Sequence, residues 1–357
     1  MQISAKRTSC GSWPERNERG QFIVQVETTM NTNGINPNQV LIDKQLKRMA
    51  RVEFIKKYGA LVMLVVLFVF NALFTNNFFT KVTMFNLLVQ VAPVAMVALG
   101  MTFVIGTGGI DISSGACMAM SGMVTTMTMD KIGIFPAILL GVVAAGFIGA
   151  VNGTSVAHFG IQPTIATLAT MIGARGLAQI LTPGGLYYFS NVKYSEMSLK
   201  FIGGIPIQFF YLLVLFVAFS FVAYKTTFGE YVEAIGDNRK AADLCGVKST
   251  RYLMIVYILS AAMAGLAGIL ITARTSSCDG YAIGNGYEMD AIAAVAIGGT
   301  SLSGGKPRVV GTIIGAFIMQ IIYSMVIMNN LRYEYSLVVK AVVIILAATI
   351  QRQKSKA

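Results

Sequence analysis

The sequence predicts an all-α polytopic membrane protein with about ten transmembrane helices, some of them discontinuous. Three observations carry that prediction. Of the 357 residues, 55% are hydrophobic and only 12% are charged, and the mean hydropathy is +0.66. The runs near 61–75, 82–106 and 207–224 approach or meet the ~20 apolar residues that a membrane helix needs. Finally, the basic residues gather in the N-terminal tail, a central loop and the C-terminus, the distribution that the positive-inside rule gives for cytoplasmic segments. The net charge of +12 therefore requires no nucleic-acid partner.

Residues 1–58 hold ten Lys or Arg against five acidic residues and lack the apolar core of a signal peptide, so they are expected to stay in the cytoplasm. The first part of this tail, with Trp13 and an Asn-rich patch at 31–38, has little to bury and reads as disordered; Met30 offers an alternative start. Residues 44–57 interleave Leu46, Met49, Val52, Phe54 and Ile55 with charge, as an amphipathic helix on the inner membrane surface or a solvated linker would. The apolar runs then fall at 59–75, 82–106, 112–129, 134–157, 164–182, 207–224, 252–273, 288–300, 308–329 and 336–350. Ten spans return the tail at 351–357, with Arg352, Lys354 and Lys356, to the cytoplasm, together with the loop after span six. The longest outside segments, 183–206 and 274–288, mix Gly, Tyr, Asn and Ser and suit a soluble partner.

Span eight is too short to cross as a straight helix and ends in Gly298-Gly-Thr-Ser-Leu-Ser-Gly-Gly-Lys-Pro307. Span two ends similarly, in Gly106-Thr-Gly-Gly-Ile-Asp-Ile-Ser-Ser-Gly115. Glycine clusters lower helix propensity, and backbone freed at membrane depth is tolerated only where protein or a water-filled cavity receives it. Two such breaks, one in each half, point to a path through the protein. The six-span offset places them on the same side, so this pair does not support an inverted repeat.

Asp111 is the sharpest polar residue in the apolar part. A carboxylate at that depth is either functional or a cap, and here it precedes the third span, where it is expected to accept amides of the first turn beside Ser113 and Ser114. Gln162, Thr164, Thr167 and Thr170 place an amide and hydroxyls near one side of span five, suited to a neighbouring helix or to a sugar hydroxyl. Arg175, deep in that span, must find an acceptor or water, and spacing does not say whether Asp111 supplies it.

Several chemistries are excluded. His158 stands alone at the end of a span, and Cys10, Cys117, Cys245 and Cys278 show neither metal spacing nor an outside pair for a disulfide. Leu302-Ser-Gly-Gly-Lys306 imitates nucleotide-binding signatures, but position 300 is Thr and Pro307 follows the lysine, so no phosphate loop forms. No catalytic cluster and no metal site is expected.

The central loop, 225–251, carries nine charged residues between two apolar runs and must leave the bilayer. Asp237 or Asn238 is placed to cap a short helix over 239–245, with Gly246 at its left-handed end. Ala241 and Ala242 are small enough for another protein's surface to approach, so the loop reads as a docking element.

The run Glu233-Ala-Ile-Gly-Asp-Asn-Arg-Lys-Ala-Ala-Asp-Leu-Cys-Gly-Val247 resembles the cytoplasmic coupling loop of permease subunits from bacterial ABC sugar importers of the ribose, galactose and xylose type. Gly108-Gly-Ile-Asp-Ile-Ser113 is similar to a signature of that family, with Ile112 for the usual Leu and Ser114 where Val is usual. Asn152-Gly153, the run 160–170 and Arg175-Gly176 match as well, with Thr164 at a place that is often Phe. The resemblance covers about 59–350 and implies a permease domain there. Its coupling loop includes Glu230, Glu233, Ala234, Gly236, Asp237, Asn238, Ala241, Ala242 and Gly246, and its candidate translocation residues are Asp111, Ser113, Asn152, Gln162, Thr167 and Arg175. The implied partners are an ABC ATPase subunit, a second permease copy or paralogue, an extracytoplasmic sugar-binding protein and the lipid bilayer of the bacterial inner membrane. This chain is expected to bind no cofactor, with ATP and Mg on the ATPase. The rival expectation is a secondary transporter in which Asp111 carries a coupling proton.

Overall fold

The computed structural model describes residues 59–182 and 185–351, with the side chains of 346–351 left aside. The expected surface helix at 44–57, the alternative start at Met30 and the last six residues lie outside the described residues. Helices stand at every expected position: α1 (Gly59–Phe74), α2 (Lys81–Gly106), α3 (Ser114–Ile132), α4 (Ile134–Ala157) and α5 (Pro163–Ile180) in the first part. α7 (Ile207–Lys225), α9 (Ser249–Thr275), α10 (Tyr287–Ile297), α11 (Val309–Met328) and α12 (Tyr333–Gln351) follow. Five of them, α2, α4, α7, α9 and α11, are long and apolar enough to cross a membrane.

Two further helices, α6 (Val192–Leu199) and α8 (Thr227–Leu244), lie between those runs. The segments 185–206 and 276–286 also carry two antiparallel ribbons. β1 (Leu186–Tyr188) pairs with β4 (Ser277–Asp279), with Leu186 opposite Asp279, and β2 (Phe201–Ile202) pairs with β3 (Ile205–Pro206). β1 and β4 thus clasp the two segments that the sequence places outside. Tyr194 on α6 anchors this layer: its hydroxyl bonds the Thr272 hydroxyl at 2.7 Å and donates to the Ile269 carbonyl at 3.1 Å, both on α9.

The core is built on α2 and α9, which pack on each other and on α3, α4, α10 and α11. Every residue of α2 from Val91 to Gly106 is buried. α4 shows how the sequence sorts its faces. Phe135, Leu139, Val143 and Phe147, four apart, form one exposed apolar stripe, with Phe135 81% exposed. The buried face is small: Ala137, Gly141, Ala145, Gly149 and Gly153. A helix with large apolar groups outside and small ones inside suits lipid, where close backbone approach rather than water exclusion holds helices together. Gly149 accordingly lies against the Tyr257 carbonyl of α9, and Gly268 of α9 against the Met118 carbonyl of α3. The chain is a multi-pass membrane protein.

α10 has 11 residues, about 16 Å at the rise of an α-helix, so the short eighth span is short in fact. A non-helical segment at 276–286, β4 followed by turns, leads into it, as residues 107–113 lead into α3. The 276–286 segment meets the start of α3: a Cβ on Gly284 would come 2.9 Å from the Met118 Cβ and would overlap the Gly115 carbonyl. The break after α2 therefore has two counterparts. It meets the glycine-rich segment after α10 on one side, and α3 starts against the segment before α10.

Replacing Gly268 with Val is expected to destabilise the protein by about 3 kcal/mol, because the new side chain has only backbone to displace. Gly173→Ala, with open space at its Cβ, is expected to stabilise it by about 0.5 kcal/mol through helix propensity. Thermal unfolding in detergent distinguishes the two, and equal effects would refute this packing.

Candidate functional site

Four of the six candidate translocation residues meet in one buried network. α2 ends at Gly106, and the chain turns through Asp111 before α3 begins. The Asp111 carboxylate accepts the Ser113 amide at 3.0 Å and the Ser113 hydroxyl at 2.6 Å on one oxygen, and the Ser260 hydroxyl of α9 at 3.0 Å on the other. The Asn152 amide of α4 donates to the Ser113 hydroxyl at 2.8 Å, and the Thr170 hydroxyl of α5 donates to the Asn152 carbonyl oxygen at 2.6 Å. The Thr167 hydroxyl reaches the Ile110 carbonyl at 3.2 Å. Asp111, Ser113, Asn152, Thr167 and Ser260 are all buried. This network ties the 107–113 segment to α3, α4, α5 and α9, and its donors offset the cost of burying a carboxylate.

The expected cap is corrected in detail. Ser113 holds the N-cap position of α3, and Asp111, two residues earlier, bonds its amide as aspartates do in Asx turns. Its second oxygen serves α9 instead of the free amides of the first turn. Ser260 gave no signal in the sequence, being one serine in an apolar helix.

Gln162 and Arg175 stand apart from this network. Gln162 is exposed at the N-terminus of α5 and lines a cavity of about 170 Å³ with Arg239, Thr107 and Tyr257. The Tyr257 hydroxyl is buried there without a hydrogen-bond partner. Arg175 donates to the Gly280 carbonyl at 3.2 Å and the Ile283 carbonyl at 2.5 Å. Its acceptors are thus backbone of the 276–286 segment, not the Asp111 carboxylate. A second unforeseen tie joins α12 to α10, where the Lys340 ammonium bonds both Asp290 carboxylate oxygens at 2.8 Å.

α8 is longer than the run 239–245 and bends at Asn238, whose φ of −161° and ψ of 100° leave the helical region. The Asn238 side-chain oxygen accepts the Ala241 amide at 3.1 Å, so Asn238, not Asp237, caps the second half. Gly246 closes it at φ +87°, with the Val247 amide returning to the Ala242 carbonyl at 3.1 Å. Glu230, Asp237, Asn238, Ala241 and Gly246 are exposed, Glu233 and Ala234 are half-buried, and Leu244 is 90% exposed. Two of the expected docking residues point inward. Ala242 is buried beside Ile235, Ala157 and Leu253, and Gly236 lies against the Gly106 carbonyl. Among the described residues no cluster of His, Cys, Asp or Glu has the arrangement of a metal site.

A family profile described as "Branched-chain amino acid transport system / permease component" matches residues 83–348. The chain belongs to that permease family. The permease is 38% identical over 305 residues to the ribose import permease protein of Bacillus subtilis, covering 84% of this chain and 94% of the relative. It is 38% identical over 303 residues to the ribose import permease protein of Escherichia coli, covering 83% and 93%. The galactofuranose transporter permease protein of Escherichia coli is 37% identical over 271 residues, covering 75% and 79%. No solved structure matches the permease.

Asp111→Ala leaves two hydroxyls and an amide without their acceptor and is expected to cost about 3 kcal/mol. Asp111→Asn keeps an acceptor for Ser113 and can donate to Ser260, so its loss should be about 1 kcal/mol. Thermal melts of the purified permease test this order, and an Asn variant as unstable as the Ala variant would contradict it.

Proposed function

We propose that this chain is the membrane-spanning permease subunit of an ATP-driven importer that moves a monosaccharide, a pentose or a hexose, into the cell. The observation that carries the proposal is the identity to ribose import permeases along nearly their whole length. In this reading ten helical segments cross or enter the bilayer and both termini are cytoplasmic. α8 then lies on the cytoplasmic side, and the clasped segments around β1, β4 and α6 lie outside, where a loaded binding protein docks.

The translocation path forms between this chain and a second permease, a copy or a paralogue. ATP, with Mg, binds and is hydrolysed on a partner ATPase, whose closure moves α8 and opens the path inward. Asp111, Ser113, Asn152 and Thr167 shape the wall of that path by tying the start of α3 to α4, α5 and α9, and the sugar is selected by the binding protein. A proton-coupled carrier built on Asp111 is disfavoured, since the carboxylate is wholly buried and three donors already occupy it.

Pull-down of the tagged, detergent-solubilised protein from its native membrane is expected to bring an ATPase subunit in near-equal amount. Recovery of the permease alone, still able to move sugar into vesicles without ATP, would refute the importer. Ala241→Arg, on the exposed side of α8, is expected to lower uptake at least about tenfold, a loss of ~1.4 kcal/mol or more of coupling, with membrane levels unchanged. Normal uptake in that variant would remove α8 as the docking element.

A further inference from the structure

Three stretches of backbone far apart in sequence meet with no side chain between them. Gly106 is the last residue of α2, Gly236 lies in the first half of α8, and Gly305 lies between α10 and α11. The Gly305 amide donates to the Gly106 carbonyl at 2.9 Å. Gly236 covers that bond: a Cβ there would overlap the Gly106 carbonyl and come 2.5 Å from the Gly305 nitrogen. From the other side, a Cβ on Gly304 would be 2.6 Å from the Gly236 carbonyl oxygen. Val232, one turn earlier on α8, is buried, and its side chain would meet a Cβ on Gly106 at 2.8 Å.

A long side chain at such a contact absorbs displacement by changing rotamer, whereas close-packed backbone transmits it. What lies beyond each glycine gives the contact a use. Gly106 leads directly into the 107–113 segment and the Asp111 network. Gly305 leads into α11, whose Thr312 hydroxyl bonds the Thr102 hydroxyl of α2 at 2.8 Å. Movement of α8 therefore reaches the broken ends of two membrane segments together.

We propose that Gly236 is a positioning residue through which α8 moves the end of α2 and the α10–α11 segment as one body, the Gly305–Gly106 bond holding them together. This rests on the reading of α8 as the ATPase-facing element. Gly236 then acts in transmission, not in docking, so its loss should uncouple the complex without dissociating it.

The test uses the complete complex with its ATPase, reconstituted in liposomes and supplied with sugar-loaded binding protein. Gly236→Ala is expected to assemble normally and to keep basal ATP hydrolysis within about twofold. Stimulation by the loaded binding protein, and uptake, should fall at least about tenfold. Normal stimulation and uptake in that variant overturn the proposal while leaving the importer reading intact, whereas absence of any ATPase from the wild-type complex overturns the reading itself. Should the variant not assemble, hydrogen exchange of the wild-type complex with and without ATP decides. Coordinated changes in 230–238, 105–109 and 303–307 are expected, and a change confined to 230–238 overturns the proposal.

Discussion

Backbone amides and carbonyls released inside an apolar protein have no water to turn to, and that constraint shapes this permease at every point where a helix stops. Three segments, 107–113, 276–286 and 298–308, leave helical geometry between apolar helices. Each is received by the protein. The Gly109 amide folds back to the Val104 carbonyl at 3.0 Å, Arg175 takes the Gly280 and Ile283 carbonyls, and the Thr300 hydroxyl accepts the Arg308 amide at 3.0 Å. The breaks are therefore packed joints within this chain, not openings through it.

The polar side chains of the interior follow from the same constraint. A carboxylate at position 111 survives burial because Ser113 and Ser260 supply hydroxyls; Ser113 in turn accepts from Asn152, whose carbonyl oxygen accepts from Thr170. That network holds the start of α3 to α4, α5 and α9.

Small residues complete the arrangement. On α4, glycine and alanine face the neighbouring helices and the bulky apolar residues are left for the surface. α8 uses the same device, resting Gly236 on the end of α2. α8 and the end of α2 thus share a contact whose geometry tolerates no side chain.

The sequence by itself determined the positions of the apolar helices, because runs of about 20 apolar residues bounded by glycine or charge have few other folds available. It also narrowed the cap of the second half of α8 to Asp237 or Asn238 and placed its left-handed end at Gly246, since these residues act on their immediate neighbours. The inward faces of Gly236 and Ala242 were illegible, because the bend at Asn238 turns one half of α8 relative to the other and no single helical period describes both. Only tertiary structure decided that Arg175 binds carbonyls 105 and 108 residues away, that β1 pairs with β4, and that Ser260 answers Asp111 across 149 residues. Those partners are chosen by how helices of similar apolar character pack, and apolar periodicity carries no record of which helix stands beside which.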